Sequence, residues 1–210
     1  MRDSRIKVLI TAVLLSCVFG IQAQEQATPL EQVMEGLSVR NIGPAGMSGR
    51  VTCIAAHPLK TTTLYAGSAS GGLWVSENNG QNWSPLFQNE KVASIGAIAI
   101  DPNYPDIIYV GTGEGNPRNS QTSGYGLYKS YDGGQNWECI GLEQTRTIHR
   151  ILINPENTDE LYVGATGSAW GDSPRGVFKT TDGGKNWTNT LYINDRTGAG
   201  DLVMDPNNPK

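Results

Sequence analysis

Gly126-Leu-Tyr-Lys-Ser-Tyr-Asp-Gly-Gly-Gln-Asn-Trp137 has two ungapped counterparts, Gly72-Leu-Trp-Val-Ser-Glu-Asn-Asn-Gly-Gln-Asn-Trp83 and Gly176-Val-Phe-Lys-Thr-Thr-Asp-Gly-Gly-Lys-Asn-Trp187. Their tryptophans lie 54 and 50 residues apart. Upstream of each copy a second block recurs, as Leu64-Tyr-Ala-Gly67, Ile108-Tyr-Val-Gly111 and Leu161-Tyr-Val-Gly164. A third block precedes that one and ends in a turn: Ile54-Ala-Ala-His57-Pro58, Ile98-Ala-Ile-Asp101-Pro102 and Ile151-Leu-Ile-Asn154-Pro155. It returns a fourth time as Leu202-Val-Met-Asp205-Pro206. Self-similarity at a period of about 50 residues marks a repeat architecture.

Each repeat holds four short β-rich runs punctuated by Pro, Gly and Asn/Asp. In the second repeat these are roughly Ser94–Asp101, Ile107–Gly113, Gly126–Tyr131 and Asn136–Ile140. No apolar run shows the 3.6-residue period, which excludes a helical solenoid. A four-stranded unit of this length cannot bury both faces of its sheet alone, so it must stack on its neighbours. The expectation is an all-β chain of β-propeller blades, each of four antiparallel strands. It comprises about three blades and the start of a fourth, in an incomplete ring. Blade 1 spans 51–88, blade 2 spans 94–140, blade 3 spans 148–192, and the fourth starts at 198–210. Counting back from His57 by the interval that separates Trp137 from Asn154 places Leu37–Ile42 in an outer-strand slot, predicted to pair with the last blade of a longer protein. Three blades cannot close a ring, so the remaining blades are expected partners, and the isolated chain is expected to expose sheet faces.

Ahead of the repeats, Arg2, Arg5 and Lys7 precede an apolar run from Val8 to Ile21 and a small residue at Ala23. That order is the n-region, h-region and cleavage site of a secretory signal, and the run is shorter than the roughly 20 residues a membrane span needs. Residues 1–23 are therefore read as a signal peptide and 24–36 as a linker, with the mature protein periplasmic, cell-surface or secreted and without a membrane span. Leu14-Leu-Ser-Cys17 offers lipidation of Cys17 as an alternative. Cleavage after Ala23 moves the net charge from −4 to −6, because three positive residues and Asp3 leave. An acidic chain argues against nucleic acid as a partner. Cys53 and Cys139 fall on different repeats, and no Cys/His cluster suggests a metal or another cofactor.

The pattern Ser/Thr-x-Asx-x-Gly-x-x-Trp resembles the Asp box, or BNR repeat. Its positions are Ser76, Asn78, Gly80 and Trp83; Ser130, Asp132, Gly134 and Trp137; Thr180, Asp182, Gly184 and Trp187. Families built on it include sialidases, xyloglucanase-type glycoside hydrolases and sortilin-type receptors. Arg40-Asn-Ile-Gly-Pro44, Gly49-Arg50 and Tyr109-Val-Gly-Thr-Gly-Glu114 resemble large secreted bacterial BNR-repeat proteins described as sortilin-like or "glycosyl hydrolase". Asp132 and Asp182 look like a carboxylate pair, yet the first copy has Asn78 in their place. Asparagine keeps the acceptor and drops the charge, so the role is a turn cap rather than acid–base chemistry.

Antiparallel connectivity puts the Asp-box turns and the Asx-Pro turns on one face, and every irregular connection on the other. Between strands 2 and 3 the glycines are 5, 15 and 12 residues apart in successive repeats. The long insertions carry the candidate ligand-binding residues Glu114, Arg118, Tyr125, Trp170, Asp172 and Arg175. The crossovers on that face add Glu90, Lys91, Glu143, Arg146, Asp195 and Arg196. Carboxylates, guanidinium groups and aromatic rings suit a glycan or a polypeptide ligand. Arg118 and Arg175 are expected to hold Glu114 and Asp172 ionised. The first reading is a sortilin-like binding module with no catalytic residues in this chain. A xyloglucanase-type hydrolase is the alternative, and a sialidase the second. Resemblance to xyloglucanases implies a catalytic aspartate in a first-blade Arg-Thr-Asp-Ile-Gly-Gly segment; the aligned Gly67-Ser-Ala-Ser-Gly-Gly72 has Ala69 there. For a sialidase, Val39-Arg-Asn-Ile42 lacks the proline of the Phe/Tyr-Arg-Ile-Pro strand.

Overall fold

A computed structural model describes residues 50–116 and 121–209. It contains three separate four-stranded antiparallel sheets, each ordered as the chain runs. The first holds β1 (Val51–Ala56), β2 (Leu64–Ser68), β3 (Leu73–Ser76) and β4 (Ser84–Pro85). The second holds β5 (Ile95–Ile100), β6 (Ile108–Thr112), β7 (Leu127–Ser130) and β8 (Glu138–Cys139), and the third holds β9 (Ile148–Ile153), β10 (Leu161–Ala165), β11 (Gly176–Thr180) and β12 (Thr188–Leu191). One 3₁₀ turn, Glu143–Thr145, lies in the second crossover. The strands of the second sheet sit inside the runs read from sequence but are a residue or two shorter at most ends. There, side-chain-capped turns take over the backbone bonds.

Cores form between sheets. Tyr65, Leu73 and Phe87 of the first pack with Ile95, Ile108, Val110 and Tyr128 of the second. Tyr109 and Leu127 of the second pack with Ile148, Ile151, Leu161, Val163 and Phe178 of the third. The first strands β1, β5 and β9 touch in succession, and each carries a bulge at its second position, at Thr52, Gly96 and His149. Thr52 donates its hydroxyl across the seam to the carbonyl of Ile95 at 2.6 Å.

The glycine closing each Tyr-x-Gly block explains how closely the sheets approach. A Cβ on Gly67 would lie 2.6 Å from Ile95 Cγ2, and one on Gly111 would lie 2.3 Å from Ile148 Cγ2. Ile95 and Ile148 are wholly buried by that contact, whereas the equivalent Val51 is 58% exposed. Residues 202–205, whose sequence repeats a first strand, make no strand; an isolated bridge joins Asp205 to Asn208. A single strand has no ladder to enter unless its own second strand pairs with it. Leu37–Ile42, the signal segment and Arg118 lie outside the described residues.

Candidate functional site

The regular turns can be set aside first. In the second sheet Ser130 Oγ accepts from the amides of Asp132 and Gly134, and it donates to Asp132 Oδ1 at 2.8 Å. Asp132 Oδ1 also accepts from the amides of Gln135 and Asn136, and Oδ2 accepts from Asn136 Nδ2. The Asn136 amides, followed by the weaker bonds from Ser130 and Gln135, hold this carboxyl at about 2. Asp182 repeats the arrangement with Thr180 and Asn186 and is also held at about 2. Asn78 in the first copy accepts from Asn82 N at 2.9 Å through its amide oxygen. Both carboxylates are committed to their own turns, which removes them as acid catalysts.

The same face holds the 1–2 turns. The amides of Asn79, Gly133 and Gly183 donate to the carbonyls of Thr62, Asp106 and Asp159, tying each 3–4 turn to its neighbour. Asp101 and Asn154 cap their turns by accepting backbone N–H groups. His57 does so with imidazole Nδ1, which accepts from Leu59 N and Lys60 N at 3.1 Å each. Burial, reinforced by Lys60, holds that ring below the usual histidine range and keeps it an acceptor.

The irregular connections gather at the opposite end. Gly72 N bonds to Ala93 O, Gly113 N to Ser94 O, Gly124 N to Arg146 O and Thr166 N to Thr147 O, so each 2–3 loop is fastened to a crossover. On this frame the six sequence-predicted residues separate. Glu114 is fully buried and receives Arg50 Nε and Nη2 at 2.7 and 2.6 Å. Its partner among the described residues is Arg50, at the entry to β1, while the expected Arg118 lies outside them. Arg175 is buried too, and its guanidinium goes to the carbonyls of Ser168 and Ser173 rather than to Asp172. The expected Asp172–Arg175 pair is corrected for a physical reason: a buried guanidinium takes the acceptors that packing supplies, here two loop carbonyls. Tyr125 is half-buried, with the Lys91 ammonium 4.6 Å from its ring centre.

Trp170 and Asp172 remain open to solvent. Trp170 is 73% exposed, although its loop is pinned: Ser168 Oγ accepts from Trp170 N, and Ser173 Oγ accepts from Ser168 N at 2.6 Å. The loop thus presents a large indole to solvent while its own backbone is braced by serine hydroxyls. Ala69, by contrast, is fully buried, with its amide on Arg50 O. One property on this face escapes sequence reasoning. Burial pushes the Glu90 carboxyl up from its ordinary value, which only packing reveals.

Among solved structures, an ancestral GH74 enzyme superposes with a TM-score of 0.61 at 22% identity, over 80% of this chain and 22% of that one. The GH74 xyloglucanase from Xanthomonas campestris gives 0.54 at 16% identity, over 72% and 23%. These sheets are propeller blades. The chain is also 28% identical over 115 residues to the oligoxyloglucan-reducing end-specific xyloglucanase of Emericella nidulans, and equally to a probable one of Neosartorya fischeri. Those matches cover 53% of this chain and 13% of the curated relatives' length. No family model matches the chain. Among the described residues no helix is long and apolar enough to cross a membrane.

Proposed function

We propose that these blades belong to an exported glycoside hydrolase of the xyloglucanase type, and that their loop face supplies part of its glycan-binding cleft rather than its catalytic carboxylates. The observation that carries this is Trp170, an exposed indole on a loop whose own hydrogen bonds are already satisfied. The apolar C–H face of a β-linked pyranose can lie flat on such a ring, and burying that area is favourable without any charge on the sugar. Likeness to xyloglucanases supports the substrate class. Asp-box blades serve here as a rigid scaffold, and Asp172 beside the indole offers an acceptor for sugar hydroxyls.

Catalysis is not assigned to these blades. Retaining or inverting hydrolysis needs two carboxyl groups facing the bond. Ala69 occupies the position of the family's first-blade aspartate, Glu114 is sealed by Arg50, and Asp132 and Asp182 lie on the other face. The full-length protein should release reducing ends from xyloglucan. Trp170→Ala should raise KM about tenfold, which corresponds to about 1.4 kcal/mol of uniform binding, and leave kcat near its original value. Xyloglucan binding without reducing-end release would return the chain to a sortilin-like binding module. Neither binding nor release would reject the glycan assignment.

A further inference from the structure

The seam between blades 2 and 3 opens on the turn face into a groove of about 1000 Å³. Its wall carries cations at Lys129 and Lys185, carboxylates at Glu138, Asp159 and Asp182, and the rings of Tyr131 and Trp187. The strand framework does not require the lysine at 129, since Val75 holds the same place in β3. In blade 3 that place is Lys179, whose ammonium pairs with Glu160 and lies 4.8 Å from the centre of the Tyr162 ring. Blade 2 has Ile107 where blade 3 has Glu160. The Lys129 ammonium instead stands over two rings, 5.1 Å from the centre of Tyr109 and 4.6 Å from that of Tyr131. Lys129 is 6% exposed, whereas Tyr131 keeps 57% of its surface in water.

Across the seam, Gly183 sits at φ +73°. A Cβ there would lie 3.1 Å from Asp159 Oδ1 and 3.7 Å from Lys129 Nζ. One small space is thus bordered by a cationic donor and an anionic acceptor. The turn does not demand glycine at this position, because blade 1 carries Asn79 there at φ 57°.

The geometry points to a second ligand site, on this turn face, for a neutral sugar chain. A hydroxyl over Gly183 accepts from the Lys129 ammonium and donates to the Asp159 carboxylate. The apolar face of a pyranose covers the exposed Tyr131 ring. Charge along the wall selects this class. Three carboxylates repel a polyanion and two ammonium groups oppose a polycation, whereas sugar hydroxyls use donors and acceptors alike. The site does not rest on the loop-face cleft, which lies at the other end of the blades.

The test is affinity electrophoresis of the full-length protein through gels carrying hydroxyethylcellulose, xyloglucan or polygalacturonate. The two neutral glucans should retard the protein and polygalacturonate should not. Retardation should survive Trp170→Ala in part. Adding Tyr131→Ala or Gly183→Asn should then weaken it about tenfold in apparent Kd, as expected for loss of one aromatic contact or of one charge-assisted hydroxyl seat. Gly183→Asn should keep the fold, because Asn79 already occupies the equivalent turn, and thermal unfolding checks this. Retardation that Trp170→Ala abolishes and neither turn-face variant alters in the otherwise unchanged protein overturns this site and leaves the loop-face cleft standing. Stronger retardation by polygalacturonate than by the neutral glucans, or no retardation in any gel, also overturns it.

Discussion

The carboxylates at 132 and 182 act on backbone geometry through charge. Each accepts several N–H donors, and each carboxyl is held at about 2 against an ordinary value of 3.8. A folded-state value below the unfolded one contributes stability that is present above about pH 4 and is lost as pH falls toward 2. The wild-type melting temperature should therefore drop over that window, and the pair Asp132→Asn and Asp182→Asn should flatten the drop. At neutral pH the asparagine variants should lose little, since Asn78 already caps the first turn through its amide oxygen. Trp137→Ala is a different matter. It removes a ring that contacts Phe87 and bonds to Leu86 O, and as an aromatic truncation it should cost about 3–5 kcal/mol in denaturant unfolding. A larger loss for Asp132→Asn than for Trp137→Ala would reject the turn-cap account.

Strands meet across the seams wherever a glycine lets them. Gly111 faces the buried side chain of Ile148, while the Cβ position of Gly96 lies 2.2 Å from two backbone oxygens, of Gly113 and Ile148. A side chain can rotate away and a backbone carbonyl in a ladder cannot. Gly111→Ala should thus destabilise by about 1–3 kcal/mol through overpacking, and Gly96→Ala by more. Equilibrium unfolding of the two variants, compared at one temperature, checks the order. Equal or reversed losses would mean that the seam yields as a whole.

Across the whole molecule, the Arg50–Glu114 pair is a bond between blades. The Glu114 side chain is fully buried, and Arg50 remains 32% exposed. Removing one member of a buried pair strands the other, so Glu114→Gln should cost about 3 kcal/mol, at the low end for such pairs because Arg50 keeps some water. The loss should appear in thermal unfolding of the full-length protein without any ligand. Replacing both residues, as Arg50→Met with Glu114→Leu, should restore much of it. A Glu114→Gln variant of unchanged stability but weakened glycan binding would return Glu114 to the ligand face.

Repetition made the fold legible in the sequence. A block that recurs about every 50 residues with alternating strands and Gly/Pro/Asx turns leaves few ways to bury its sheets, and the Asn78 substitution exposed the role of its aspartates. Antiparallel order alone then separated the regular face from the irregular one. Which of the described loop residues are exposed was decided only by packing. Glu114 and Arg175 look like solvent-facing charges on long insertions, yet each is drawn inward to a partner distant in sequence or to loop carbonyls, while Trp170 and Asp172 are left outside. Local pattern sets secondary structure and turn chemistry because those bonds close within a few residues. The partner of a buried charge depends on which strand of the neighbouring blade arrives beside it, and no single repeat carries that information.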